Sequence, residues 1–108
     1  QCELHTIGIG KVMSAGTLVL ASGTKGKRKI GKNCRVMIHS VNAGQHGDLH
    51  NIENEVKAVK QMQDLYINAM CNETHMTKRQ IQKLIDRKIN VYLSAQEAIE
   101  YGIADEIF

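Results

Sequence analysis

The sequence predicts an α/β fold, and three observations predict it. Short apolar, partly β-branched runs recur at 4–9, 34–39 and 90–93, as buried strands require. Two helix starts are written as capping boxes, Thr77-Lys78-Arg79-Gln80 and Ser94-Ala95-Gln96-Glu97. Residues 49–71 then hold a helical period for roughly six turns.

A chain of 108 residues makes at most one domain with a modest core, built of aliphatics because it has one Phe and no Trp. A net charge of +3 implies no nucleic-acid partner. Lys25, Lys27, Arg28, Lys29, Lys32 and Arg35 do crowd into eleven residues. No aromatic ring interleaves them for base stacking, so they read as a basic turn on a solvated face. Three cysteines, Cys2, Cys34 and Cys71, form no C-x-x-C pair, which argues for a reducing compartment and against a disulfide framework or a zinc site. No run is long enough to span a bilayer and no signal peptide is visible, so the chain reads as cytoplasmic with no membrane partner. It begins with Gln1 rather than Met, the mark of a processed or partial product.

Taken in order, residues 4–9 read as a buried strand. Residues 14–22 follow as a short helix offering Ala15, Leu18, Val19 and Ala21 to the core. Gly23-Thr24-Lys25-Gly26-Lys27 is a turn, and residues 34–39 form a central strand that ends on His39. Residues 40–47, interrupted by Gly44 and Gly47, suit an exposed arm better than a packed strand. Along 49–71, Leu49, Ile52, Val56, Val59, Met62, Leu65, Tyr66, Ala69 and Met70 recur at spacings of three and four. That rod, roughly 35 Å long, exceeds what so small a domain can cover, so part of its stripe should face another subunit. The second capped helix carries Ile81, Leu84, Ile85 and Ile89, and the third ends near Gly102. Residues 103–107 close the chain as a short strand or docked tail.

The chemistry falls at two element ends. Ser14, in Gly10-Lys11-Val12-Met13-Ser14-Ala15-Gly16, sits where a strand turns into a helix. A serine there is either an ordinary N-cap or a nucleophile exposed at a helix N-terminus. His39 ends an apolar strand, where functional side chains emerge into clefts, and its alternative is a capped core histidine. His46 with His50, and Cys71 with His75, are spaced four apart but lack a completing carboxylate set, so both pairs read as side chains facing water rather than metal ligands.

These stretches resemble one family. The segment from Gly10 to Gly16, the turn Gly26-Lys27-Arg28, the string Arg35-Val36-Met37-Ile38-His39 and the terminal Tyr92-Leu93-Ser94-Ala95-Gln96-Glu97-Ala98-Ile99-Glu100-Tyr101-Gly102 are similar, in order, to the proteolytic subunit of the ATP-dependent Clp protease, the ClpP family. The Arg-Val-Met-Ile-His string with Ser14 twenty-five residues upstream is specific to that family. The terminal segment recurs across the wider crotonase-like superfamily and supports the fold more than the activity. The likeness covers essentially the whole chain, which matches only the C-terminal part of a typical member.

The resemblance implies a ClpP/crotonase-like fold with a head at 1–40 and 77–108 and a handle of arm and long helix at 41–76. It implies a serine endopeptidase in which Ser14 is the nucleophile, His39 the general base and the Ala15 N–H an oxyanion donor. Val41, Asn42, Ala43 and Gly44 fall in the arm that holds an extended peptide by strand addition. No cofactor is implied. The implied partners are an unfolded polypeptide substrate, a separate Clp-type ATPase unfoldase and further copies in stacked rings, with the N-terminal half of the domain either a separate chain or lost. The family's acid, four residues before the serine of Leu-Ser-Ala, is here Asn90, and Asp86 is the alternative acid one helical turn earlier. The second oxyanion donor belongs to an upstream glycine pair that this sequence does not contain. Competing readings are a weakly active or non-catalytic ring subunit and a viral capsid-maturation protease of the same fold. A crotonase-type acyl-CoA enzyme would leave the pairing of Ser14 with His39 unexplained.

Overall fold

The structure, a computed structural model, describes residues 2–41, 44 and 46–108. The elements run β1 (Thr6–Gly8), β2 (Lys11–Met13), α1 (Ala15–Ala21), β3 (Arg28–Ile30), β4 (Arg35–Ile38), α2 (Leu49–Glu73), α3 (Lys78–Ile85), β5 (Val91–Leu93), α4 (Ala95–Glu100) and β6 (Glu106–Ile107). The strands form two three-stranded sheets. One is parallel, in the order β1-β3-β6, and the other, β2-β4-β5, joins a parallel to an antiparallel pair.

The strand expected over 4–9 is shorter than predicted, and a second strand follows it. Gly10, at φ 75, turns the chain out of β1 and into β2 of the other sheet. A left-handed turn of this kind is open to glycine at little steric cost. Both β1 and β2 lie at sheet edges, and Ile7, Ile9, Met13 and Val19 are exposed there. Val19 was expected in the core, but α1 instead buries Thr17, Leu20 and Ala21. Strand β4 is central in its sheet, with Val36, Met37 and Ile38 buried. Both predicted capping boxes form reciprocally, Thr77 with Gln80 and Ser94 with Glu97. Helix α3 stops at Ile85, and Lys88 at φ 59 then reverses the chain, so Ile89 is left exposed rather than on the helix. Helix α4 ends as predicted: Gly102 takes φ 77, and a Cβ there would lie 2.6 Å from the His75 ring.

The basic segment is not wholly a solvated turn. Lys25 and Lys27 are exposed, but Arg28 opens β3 and is buried. Its Nη1 donates to the carbonyls of Ala21, Glu73 and Gly102 at 3.0, 2.9 and 2.8 Å. These close the C-terminal ends of α1, α2 and α4, where the helix dipoles are negative and carbonyls lack partners. Nε and Nη2 grip Asp105 at 2.8 and 2.7 Å, a bidentate pair that offsets the buried charge. The Arg28 side chain holds the Asp105 carboxyl well below the usual carboxylate range, against the opposite pull of burial.

Arg28→Met should therefore lose about 3–5 kcal/mol, because it leaves Asp105 and the Gly102 carbonyl without their cation, while Lys25 Nζ still reaches the carbonyls of Ala21 and Glu73. A carboxyl with a depressed folded pKa contributes stability that is complete above its unfolded value, about 3.9, and fades as pH falls below it. Urea unfolding followed from about pH 7 down to pH 3 should show that acid-side loss in the parent chain and its absence in Asp105→Asn. An Arg28→Met chain as stable as the parent would mean that the cluster is dispensable.

Helix α2 runs for 25 residues, longer than any other element. Its C-terminal half buries Ile67 and Met70 against the core, whereas Leu49, Ile52, Val56, Met62 and Leu65 are exposed. The chain extends 50 Å along its longest axis. None of the described helices is long and apolar enough to cross a membrane.

Candidate active site

Ser14 occupies the N-cap position of α1, yet its side chain caps nothing. Its Oγ is instead hydrogen-bonded to Nε2 of His39, which follows directly on β4. The parallel pairing of β2 with β4 produces this meeting: Met13 is aligned with Met37, so the residues just beyond each strand emerge at the same sheet end. The backbone at Ser14 is bent sharply to do it, at φ 53 and ψ −116. A non-glycine residue there carries strain of about 1–3 kcal/mol and must be held by its surroundings.

The surroundings hold it on both sides. The Ser14 N–H donates to Met37 O at 3.0 Å, and the Ser14 carbonyl accepts from Thr17 N at 3.0 Å. Thr17, fully buried, donates its hydroxyl to Met37 O at 3.0 Å and so ties α1 to β4. From α2, the Tyr66 hydroxyl also reaches the Ser14 carbonyl, at 3.1 Å. Burial pushes the Tyr66 phenol up to about 12, which keeps it a neutral donor. Nothing in the sequence singled Tyr66 out beyond its place in the apolar stripe. The available signal was that it is the one aromatic residue of that stripe, and hence the one with a polar tip.

Ala15 is the first residue of α1, and its N–H has no acceptor among the described residues. It is one of the orphan donors of a helix N-terminus, adjacent to the hydroxyl of Ser14. A cavity of about 390 Å³ opens at this point, lined by Ser14, Ala15, Leu18, His39, Val41 and Tyr66 among others. Val41 enters it from the start of the arm, where its N–H donates to Gln63 Oε1 of α2 at 3.2 Å. Gly44 is exposed, beside a groove of about 380 Å³ along Ile52, Val56 and Val59. Asn42 and Ala43, also expected to bind substrate, lie outside the described residues.

The third expected residue is not in contact. Asn90 is exposed and makes no hydrogen bond to His39, whose Nδ1 has no partner among the described residues. The antiparallel ladder of β4 with β5 ends at Ile38 opposite Val91, and one further step of that register sets His39 opposite Asn90. Asp86, the alternative, ends α3 and accepts from Gln82 Nε2 at 3.0 Å. Among the described residues, no group of three or more metal-ligating side chains comes together.

Residues 1–108 match the Clp protease family profile. The chain is 35% identical over 105 residues to an ATP-dependent Clp protease proteolytic subunit of Dehalococcoides mccartyi, covering 97% of this chain and 52% of that protein. It is 34% identical over 107 residues to ATP-dependent Clp protease proteolytic subunit 1 of Corynebacterium glutamicum, covering 98% of this chain and 50% of that protein. The chain thus spans about half the length of the curated relatives it matches. With a family match from the first residue to the last, around a serine and a histidine joined at the ends of parallel strands, the chain belongs to the Clp protease family.

Proposed function

We propose that this chain carries the catalytic serine and histidine of a Clp-type serine endopeptidase subunit. One observation carries the proposal: Ser14 Oγ, at a helix N-cap, leaves the helix uncapped and bonds to His39 Nε2. An N-cap serine has no reason to give up its cap, whereas a nucleophile needs a base at hydrogen-bond range. Ser14 Oγ attacks the scissile carbonyl and passes its proton to His39 Nε2. The tetrahedral oxyanion is met by the Ala15 N–H, aligned with the positive end of α1. His39 then returns the proton to the leaving amine, and water releases the acyl group by the same route.

The substrate would be an unfolded polypeptide lying extended along residues 41–44, with one side chain in the cavity beside Ser14. Main-chain pairing of this kind tolerates many sequences. The exposed stripe of α2 supports a division into a head (1–40 and 77–108) and a handle (41–76), the handle packing against other copies in stacked rings. The exposed edge at Ile7, Ile9 and Met13 supports a neighbour there, the N-terminal half of the domain on the same or a separate chain. The names of the relatives support an ATP-dependent partner, which would deliver unfolded chains to the chamber.

Asn90 favours a second reading, a ring subunit of low activity beside fully active ones, because among the described residues no acid is hydrogen-bonded to His39. Labelling the assembled protein with a fluorophosphonate probe tests the first reading. The probe should attach to Ser14 and be lost in Ser14→Ala, and an unlabelled assembly would sink the proposal.

A further inference from the structure

We propose that Tyr66 is a positioning residue for the nucleophile, the hydroxyl on α2 that fixes the Ser14 backbone in its attacking conformation. The inference rests on the serine-peptidase reading of the site.

The argument starts from the bend at Ser14. With φ at 53 and ψ at −116, the residue sits where only a surrounding framework can keep it. Three hydrogen bonds grip its peptide groups, and two of them are local or ladder-like: Ser14 N to Met37 O and Thr17 N to Ser14 O. Both are backbone bonds that any sequence could make in this topology. The third is not. Tyr66 Oη reaches the Ser14 carbonyl at 3.1 Å across 52 residues of sequence, and it is the only side chain on that oxygen among the described residues.

Its chemistry suits the task. A phenol held neutral by burial donates steadily over the working pH range, so the contact does not switch. Its ring, next in sequence to the buried Ile67 and one turn before the buried Met70, packs against the core and belongs to the packed half of the helix rather than to the exposed stripe. The donor is therefore mounted on a rigid part of the molecule. The same carbonyl begins the peptide unit whose N–H is that of Ala15, so fixing it fixes the oxyanion donor along with the hydroxyl. Loss of the Tyr66 hydroxyl should misplace both attacking atom and oxyanion donor while leaving the substrate cleft filled.

Tyr66 also lines the cavity beside Ser14, and a residue that only shaped this wall would act on substrate binding instead. Tyr66→Phe separates the two roles, since it keeps the ring and removes the donor. On a short amide substrate, the assembled Tyr66→Phe protein should show a kcat about fivefold to tenfold lower, with KM within about twofold of the parent. A KM raised at unchanged kcat, or no change in either, would overturn the proposal. If parent Ser14 does not react with a fluorophosphonate, the peptidase reading fails, and the backbone decides the inference alone. A crystal structure of Tyr66→Phe with Ser14 relaxed to negative φ, or released from His39, would then support it. An unmoved Ser14 would overturn it.

Discussion

Alanine at Ser14 is expected to lower peptide turnover at least about a hundredfold, alanine at His39 by the same factor, and the double variant no further. In a dissected serine-protease triad, loss of the serine or histidine costs about 2 × 10⁶ in kcat, and loss of the aspartate alone about 3 × 10⁴. If Asn90 lends His39 nothing, the ratio of those losses, about 10², is what the Ser14–His39 pair still supplies. If the Asn90 amide orients His39 fully, the loss approaches the larger figure. The shared factor is the sharper part of the expectation, because two groups joined by one hydrogen bond act as a unit. Turnover of a fluorogenic peptide by the assembled single and double variants measures it. Losses that multiply in the double variant would mean that the two side chains work separately, whatever their contact.

Local pattern set Ser14 and His39 at element ends, and the family resemblance then gave them roles. Ser14 and His39 each stand at the end of an apolar run, and parallel pairing of β2 with β4 then brings them together. The capping boxes were equally plain, since each is a four-residue contract between a hydroxyl and a side chain one turn on. Strand β3 was missed because its middle is cationic. Arg28 and Lys29 look like turn residues until Asp105, 77 positions away, is known to accept the buried guanidinium. The alternation of Arg28 in, Lys29 out and Ile30 in is visible only in retrospect, because a three-residue strand carries too little pattern to compete with its charge. Ile89 failed for a local reason. A helical spacing continued past the point where Lys88 takes a positive φ, which nothing in a lysine announces. Tyr66 was placed correctly on its helix, but its hydroxyl acts at a backbone atom 52 residues away, and backbone acceptors leave no trace in sequence.

Aspartate at position 90 should raise kcat at least about tenfold, with a ceiling near the 10⁴ that the reverse change costs in an aspartate-based triad. The register supports the direction. Cross-strand neighbours share a face, and continuing the register one step past its last pair, Ile38 with Val91, would bring His39 level with residue 90. His39 already uses Nε2 on Ser14, so Nδ1 is the atom left for a partner. An asparagine there can accept Nδ1–H through its amide oxygen, yet it can equally rotate and offer N–H₂, which holds the wrong tautomer. A carboxylate removes that ambiguity and adds a negative charge beside the imidazolium that forms as Ser14 gives up its proton. Because the charge matters only as the reaction proceeds, the gain should lie in kcat, with KM little changed. Asp86→Asn is the companion variant. Asp86 is engaged by Gln82 at the end of α3, so its loss should leave turnover within about twofold. Collapse of activity in Asp86→Asn, with no gain in Asn90→Asp, would transfer the orienting role to Asp86. A gain confined to Asn90→Asp would show that Ser14 and His39 are poised for a third partner that the native residue only partly replaces.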